Sequence, residues 1–73
     1  MLSPSAGKTV LVHHHPFLSQ GRPGRTFRGK VERVTPQYVT INFRVDDIPT
    51  RMDFSPLTGL SLRDPYVFFT LEP

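Results

Sequence analysis

The chain has 73 residues, no cysteine, no tryptophan and a formal net charge of +3. A chain of this length forms one small domain that buries only about 60% of the surface its unfolded state exposes, so it has little interior volume for a deep active site. The lack of cysteine excludes a disulfide framework and favours a reducing compartment. Since no apolar run approaches about 18 residues and no signal-peptide pattern is present, we expect a soluble, unexported protein.

The first element in chain order is a tail. Residues 1–8 are rich in Ser, Pro and Gly and lack periodicity, which predicts a flexible tail before a single β domain over 9–73. The segment Thr9–His13 predicts a short strand that ends before Pro16, because proline cannot donate to a sheet ladder. Residues 16–25 hold two glycines, two prolines and two arginines, which predicts a flexible, basic loop.

A second strand is predicted over Thr26–Val34. Phe27, Gly29 and Val31 share one face of this strand, and the side chains between them are charged. A glycine in the middle of a strand suggests a bulge or a sharp bend, which is how small sheets curl toward closure.

The clearest pattern lies between Tyr38 and Asp46, where every second residue is apolar. This two-residue period predicts a strand with one buried and one solvated face. A turn over 46–49 and the alternating segment Arg51–Ser55 complete an antiparallel hairpin.

A compact turn over 55–59 and a last strand over Tyr66–Leu71 bring the total to five short strands. Five antiparallel strands at close spacing predict an all-β fold, a small five-stranded antiparallel curled sheet or SH3-like barrel. An OB-like barrel is less favoured, because it usually has longer strands and a helix between the third and fourth, and the 55–59 segment is too short for more than one turn.

Two motifs resemble parts of known functional sites, but neither is complete. Gly7-Lys8-Thr9 ends like a phosphate-binding loop, but the position that needs its first glycine is Leu2 and the strand-loop-helix context is missing. The triplet over 13–15 is all histidine, and two imidazoles on one strand face do not complete a metal site. We therefore expect a solvent-facing strand end and no cofactor.

The acidic residues of the hairpin are the remaining candidates for catalysis. Asp46, Asp47 and Asp53 could be imagined as paired carboxylates. A solvated turn with cross-strand partners for Arg44 or Arg51 explains them better, because charges at hairpin turns protect exposed edges. Since no nucleophile motif is present either, we expect that the protein is not an enzyme.

The strongest functional signal is a set of basic and aromatic side chains. Residues 1–33 carry six basic side chains against one acidic, a net charge of +5, and residues 34–73 carry three against five, a net charge of −2. The basic part of the surface attracts phosphates or acidic proteins. The candidate partner-binding residues are Phe17, Arg22, Arg25, Arg28, Lys30, Arg33, Tyr38, Arg44 and Arg51. Protein binding, direct nucleic-acid binding and a purely solubilising role are all open on this pattern.

The stretch GKVERVTPQYVTINF, followed by the ending MDFSPLTGLSLRDPYVFFTLEP, resembles small phage-encoded accessory proteins. The resemblance covers roughly residues 27–73 and is closest to the short transcription regulators that lytic phages make to bind host RNA polymerase. The residues that carry it are Gly29, Val31, Val34, Thr35, Pro36, Asp53, Phe54, Thr58, Gly59 and Tyr66.

The resemblance implies a monomeric regulator in the host bacterial cytoplasm that inhibits initiation or permits readthrough of terminators. It would dock on a polymerase subunit and compete with or displace the promoter-specificity factor. In that role Arg28, Lys30 and Arg33 would steer association, Phe17 and Tyr38 would anchor it, and Arg44 and Arg51 would pair with charges. Two alternatives are a small basic barrel that binds DNA or RNA directly and a structural virion protein that self-associates.

Overall fold

The computed structural model describes residues 4–14, 24–64 and 66–72. The strands are β1 Thr9–His14, β2 Arg25–Val34, β3 Val39–Val45, β4 Ile48–Phe54 and β5 Val67–Leu71. The predicted all-β class is confirmed, and the ends of each strand lie within three residues of those predicted. Across the described residues no helix is long and apolar enough to span a membrane.

The five strands form one antiparallel sheet in the order β4-β3-β2-β1-β5. The connection between β4 and β5 runs along both edge strands, because Phe54 bridges to Ser61 and Leu60 bridges to Phe68. The sheet is therefore curled but unclosed, which is the curled-sheet form of the prediction.

The core lies on the inner face of the curl and follows the two-residue period of the strands. Phe54 and Phe69 meet edge to face, with ring centroids 5.5 Å apart, and so join the two edge strands across the core. Full burial of one such side chain contributes about 1.5–3 kcal/mol. The buried hydrophobic residues are Val10, Val12, Val31, Val39, Ile41, Phe43, Phe54, Val67 and Phe69.

Gly29 lies where the packing of β2 against β3 leaves no room for a side chain. A Cβ atom at this position would lie 2.8 Å from Ile41 Cγ2 and 3.1 Å from the carbonyl oxygen of Asn42. Glycine is therefore required here for space. The register shift lies further along β2, between Val31 and Arg33, so the bulge suggested at Gly29 is displaced toward the end of the strand.

The hairpin between β3 and β4 turns through two residues only. Val45 pairs with Ile48, and the residues between them, Asp46 and Asp47, have φ angles of 51° and 66°. Two consecutive residues with positive φ are typical of a type I′ turn, whose twist matches that of the flanking strands.

The ends of β1 connect to segments for which the sequence predicted flexibility. Residues 1–3 and 16–23 lie outside the described residues. The described end of the predicted tail forms a turn against β2, in which Gly7 N–H donates to the Val31 carbonyl at 2.9 Å. Arg25, predicted to end the loop, is the first residue of β2.

Gly29→Ala tests the close approach of the two central strands. The added methyl group would meet a fully buried side chain and a backbone oxygen, so we expect a loss of about 1–3 kcal/mol in the free energy of unfolding. Urea unfolding measures it, with Lys30→Ala, an exposed change on the same strand, as the control. Equal midpoints for the two variants would contradict the requirement for glycine.

Asp47→Gly tests the turn. Glycine adopts positive φ without a Cβ clash and is preferred after Asp in type I′ turns, so we expect the free energy of unfolding to rise by up to about 1 kcal/mol. Asp47→Ala should lower the free energy of unfolding, because alanine tolerates positive φ less well than aspartate does. Thermal unfolding of the parent and both variants ranks their stabilities. An alanine variant more stable than the glycine variant would exclude this turn type.

Candidate partner-binding face

The outer face of β2, β3 and β4 carries a groove of about 790 Å³. No acidic residue is among the described residues that line it, although the Glu32 carboxylate contacts two of them, Asn42 and Arg51. We call it the basic groove and define it by its four cations, Arg28, Lys30, Arg44 and Arg51. All four are exposed. Thr9, Thr26 and Asn42 add polar residues to the lining.

The strand register explains why these cations share one surface. Lys30 pairs with Asn42, and Asn42 pairs with Arg51, so the three side chains form one row across the sheet. Arg44 lies two residues along β3 from this row, and Arg28 two residues along β2, so both point to the same face. The step between rows is roughly 7 Å, since each strand residue advances about 3.3 Å.

Two of the four cations already have carboxylate partners. Arg28 Nη2 lies 2.6 Å from Glu72 Oε1, and Arg51 Nη2 lies 3.3 Å from Glu32 Oε2. Lys30 and Arg44 form no ion pair with any described residue. The uncompensated positive charge of the basic groove therefore comes from Lys30 and Arg44.

Arg25 is directed away from the basic groove, toward the hairpin turn. Its guanidinium donates two hydrogen bonds to the carboxylate of Asp46 and lies 4.8 Å from the ring centroid of Phe27. The hydrogen bond and the charge of Arg25 hold the pKa of Asp46 below its ordinary value. Asp46 in turn raises the pKa of Arg25, so this predicted binding residue is already paired within the fold.

Arg33 and Tyr38 line a second, smaller cleft of about 520 Å³. We call it the tyrosine cleft. The remaining residues lining it are Thr40, Arg51, Met52, Asp53, Leu62 and Arg63. The bulge in β2 places both Glu32 and Arg33 on the outer face, because Glu32 bonds to Asn42 there and Arg33 pairs with Thr40.

Thr40, at the floor of the tyrosine cleft, is buried, although the alternation of β3 predicts it on the solvated face. Only 3% of its surface is exposed. Its hydroxyl donates to Asp53 Oδ1 at 2.6 Å. Arg63 lines the same cleft but was not among the residues predicted from the sequence. Its position depends on the connection after β4, so no local sequence pattern indicates it.

The structure thus divides the predicted site. Arg28, Lys30, Arg44 and Arg51 come together in the basic groove, Arg33 and Tyr38 lie in the tyrosine cleft, and Arg25 lies at the turn. Phe17 and Arg22 lie outside the described residues.

The histidine segment is more enclosed than expected. His13 is half-buried, its Nδ1 lies 3.2 Å from Thr26 Oγ1, its Nε2 lies 2.7 Å from Thr70 Oγ1, and its ring stacks on Phe68 with centroids 4.9 Å apart. Among the described residues no three His, Cys, Asp or Glu side chains come together as a metal site. His13 therefore links β1, β2 and β5 on the outer face.

No family model, no curated protein and no solved structure matches this chain. The resemblance to phage regulators stays a prediction from the sequence. The functional argument rests on the two clefts and on which of their charges are paired.

The Arg25–Asp46 pair predicts a pH dependence of stability. Because the pKa of Asp46 is lowered by folding, its contribution is present above the unfolded value of about 3.9 and is lost as the pH falls through the folded pKa. Asp46→Asn keeps a residue that tolerates positive φ but removes the carboxylate. We expect this variant to be less stable than the parent near neutral pH and equal to it in acid below the folded pKa.

Urea unfolding of the parent, Asp46→Asn, Arg25→Gln and the double variant measures the coupling at both pH values. A coupling between the two side chains that is as large in acid as at neutral pH would show that the ionised pair is not its source.

Proposed function

We propose that this protein is a non-enzymatic, phage-type regulator that binds an acidic surface of host RNA polymerase, inhibiting initiation or promoting antitermination. The observation that supports binding to an anionic partner is the basic groove, where Lys30 and Arg44 form no ion pair with described residues. Cations on a rigid sheet steer association with a surface of opposite charge. The sequence resemblance suggests polymerase as the partner, and the five-stranded curled sheet suits the SH3-like module that we propose with it.

Protein contact is favoured by apolar side chains on the described surface. Leu57 and Leu62 are 70% and 60% exposed, and exposed apolar side chains add contact area to a protein interface. The basic groove offers few rings for base stacking, because Phe27 and Phe43 pack with the core. A site for successive bases usually presents exposed aromatic rings.

The second candidate is direct binding of DNA or RNA in the same groove. It is favoured by the four cations of the basic groove, of which Lys30 and Arg44 form no ion pair with described residues. Binding of this kind weakens steeply with salt, with a log-log slope of about −0.7 for each phosphate contacted on a single strand.

Charge reversal in the basic groove tests the proposal. Lys30→Glu and Arg44→Glu should each slow association with polymerase by about tenfold or more, because the steering charge is inverted at an exposed site. Lys8→Glu is the matched control, since Lys8 is an exposed cation outside the basic groove. Association rates with purified polymerase at low and moderate salt provide the measurement.

A pull-down from bacterial lysate, with and without nuclease, separates the two candidates. Polymerase subunits that stay on the parent and on Lys8→Glu after nuclease, but not on Arg44→Glu, are the expected result. Loss of every partner with nuclease would favour nucleic acid. Equal retention on all variants would exclude the basic groove as the contact surface.

A further inference from the structure

The tyrosine cleft holds two arginines that the fold leaves available. Arg33 and Arg63 form no ion pair with any described residue. They lie toward opposite ends of one row across the sheet, in which Arg33 pairs with Thr40 and Thr40 pairs with Asp53. The Asp53 carbonyl accepts from Leu62 N–H at 3.0 Å, which brings the segment carrying Arg63 beside it. Two guanidinium groups flanking one cleft suit an oxyanion, above all phosphate.

The segments that carry these side chains are fixed by hydrogen bonds. The hydroxyl of Ser61, a buried residue, accepts from the backbone N–H of Arg63 at 3.2 Å and of Asp64 at 3.1 Å. The Thr35 hydroxyl accepts from Tyr38 N–H at 3.0 Å, and Arg33 Nη1 lies 3.5 Å from the Tyr38 hydroxyl. Because these backbones are held in place, binding a ligand costs less ordering entropy.

The floor of the cleft disfavours a bare phosphate ion. Asp53 carries a negative charge there, and the hydroxyl of Thr40 occupies only one of its two carboxylate oxygens. A phosphate group held by the arginines stays away from the Asp53 carboxylate when the remainder of the same ligand molecule lies between the phosphate and Asp53. The ring of Tyr38 and the apolar side chain of Leu62 provide walls for a flat group.

We infer that the tyrosine cleft is a nucleotide-binding site, in which Arg33 and Arg63 hold the phosphate and Tyr38 contacts the base. Its volume of about 520 Å³ falls within the range of about 300–1,000 Å³ of small-ligand sites. The source of the nucleotide is either the free monophosphate or the phosphorylated end of a strand. The site shares only Arg51 with the basic groove, and it does not depend on the regulator function proposed above.

The test is a titration of the full chain, labelled with ¹⁵N, with adenosine monophosphate, followed through the backbone amide resonances. We expect saturable shifts at Arg33, Tyr38 and Arg63. Inorganic phosphate and adenosine should each bind about tenfold more weakly than the nucleotide, since each lacks one half of the contacts.

Arg33→Ala and Arg63→Ala should each weaken nucleotide binding by about tenfold, and Arg44→Ala, a matched change in the basic groove, by less than about twofold. Well-dispersed amide spectra check that each variant is folded. Competition by a 5′-phosphorylated dinucleotide would assign the source to a strand end, and failure to compete would assign it to the free nucleotide.

Three results would overturn the inference. They are shifts confined to the basic groove, inorganic phosphate binding as tightly as the nucleotide, and unchanged affinity in folded Arg33→Ala and Arg63→Ala variants. Failure of the polymerase experiments would leave these results unaffected, because they use the purified chain alone.

Discussion

A single five-stranded sheet must cover its own apolar face, since the described residues supply no helix to pack against it. The sheet does so by curling. Gly29 leaves the space that Ile41 and the backbone of Asn42 occupy, and Phe54 and Phe69 join the two edge strands across the core. The connection after β4 bridges both edges. This solution places the apolar side chains inside and leaves the outer face of β2, β3 and β4 to charged groups, so the candidate binding surface is a consequence of how the core is buried.

The net charge of the chain says less about this surface than the pairing of individual charges. Acidic residues of the second half of the chain neutralise arginines of the first half, as Asp46 does for Arg25 and Glu72 for Arg28. Such exposed pairs contribute little to stability. Their effect is to confine the free positive charge to a few positions, of which Lys30 and Arg44 lie together in one groove.

The two-residue period was enough to predict β2, β3, β4 and β5 and the inward side chains of β2 and β3, because alternation fixes the facing of a strand wherever its pairing is regular. β1 was predicted from a short apolar run, which left its facing open. The site was harder to predict. Arg33 lies on the outer face because of a bulge, and Arg28 pairs with a residue 44 positions away. Both depend on strand register and on neighbours distant in sequence. Local sequence patterns reveal neither the register nor the distant neighbours. The sequence therefore indicated the binding residues as one set, and the structure divides them between two clefts and the hairpin turn.

Hydrogen exchange of the chain alone and bound to purified polymerase tests the central claim most directly, because it reports which strands the partner covers. The account predicts slower exchange in the central part of β2, the end of β3 and the start of β4, which carry the basic groove. Protection confined to β5 and the connection before it, or no change in the presence of polymerase, would contradict it.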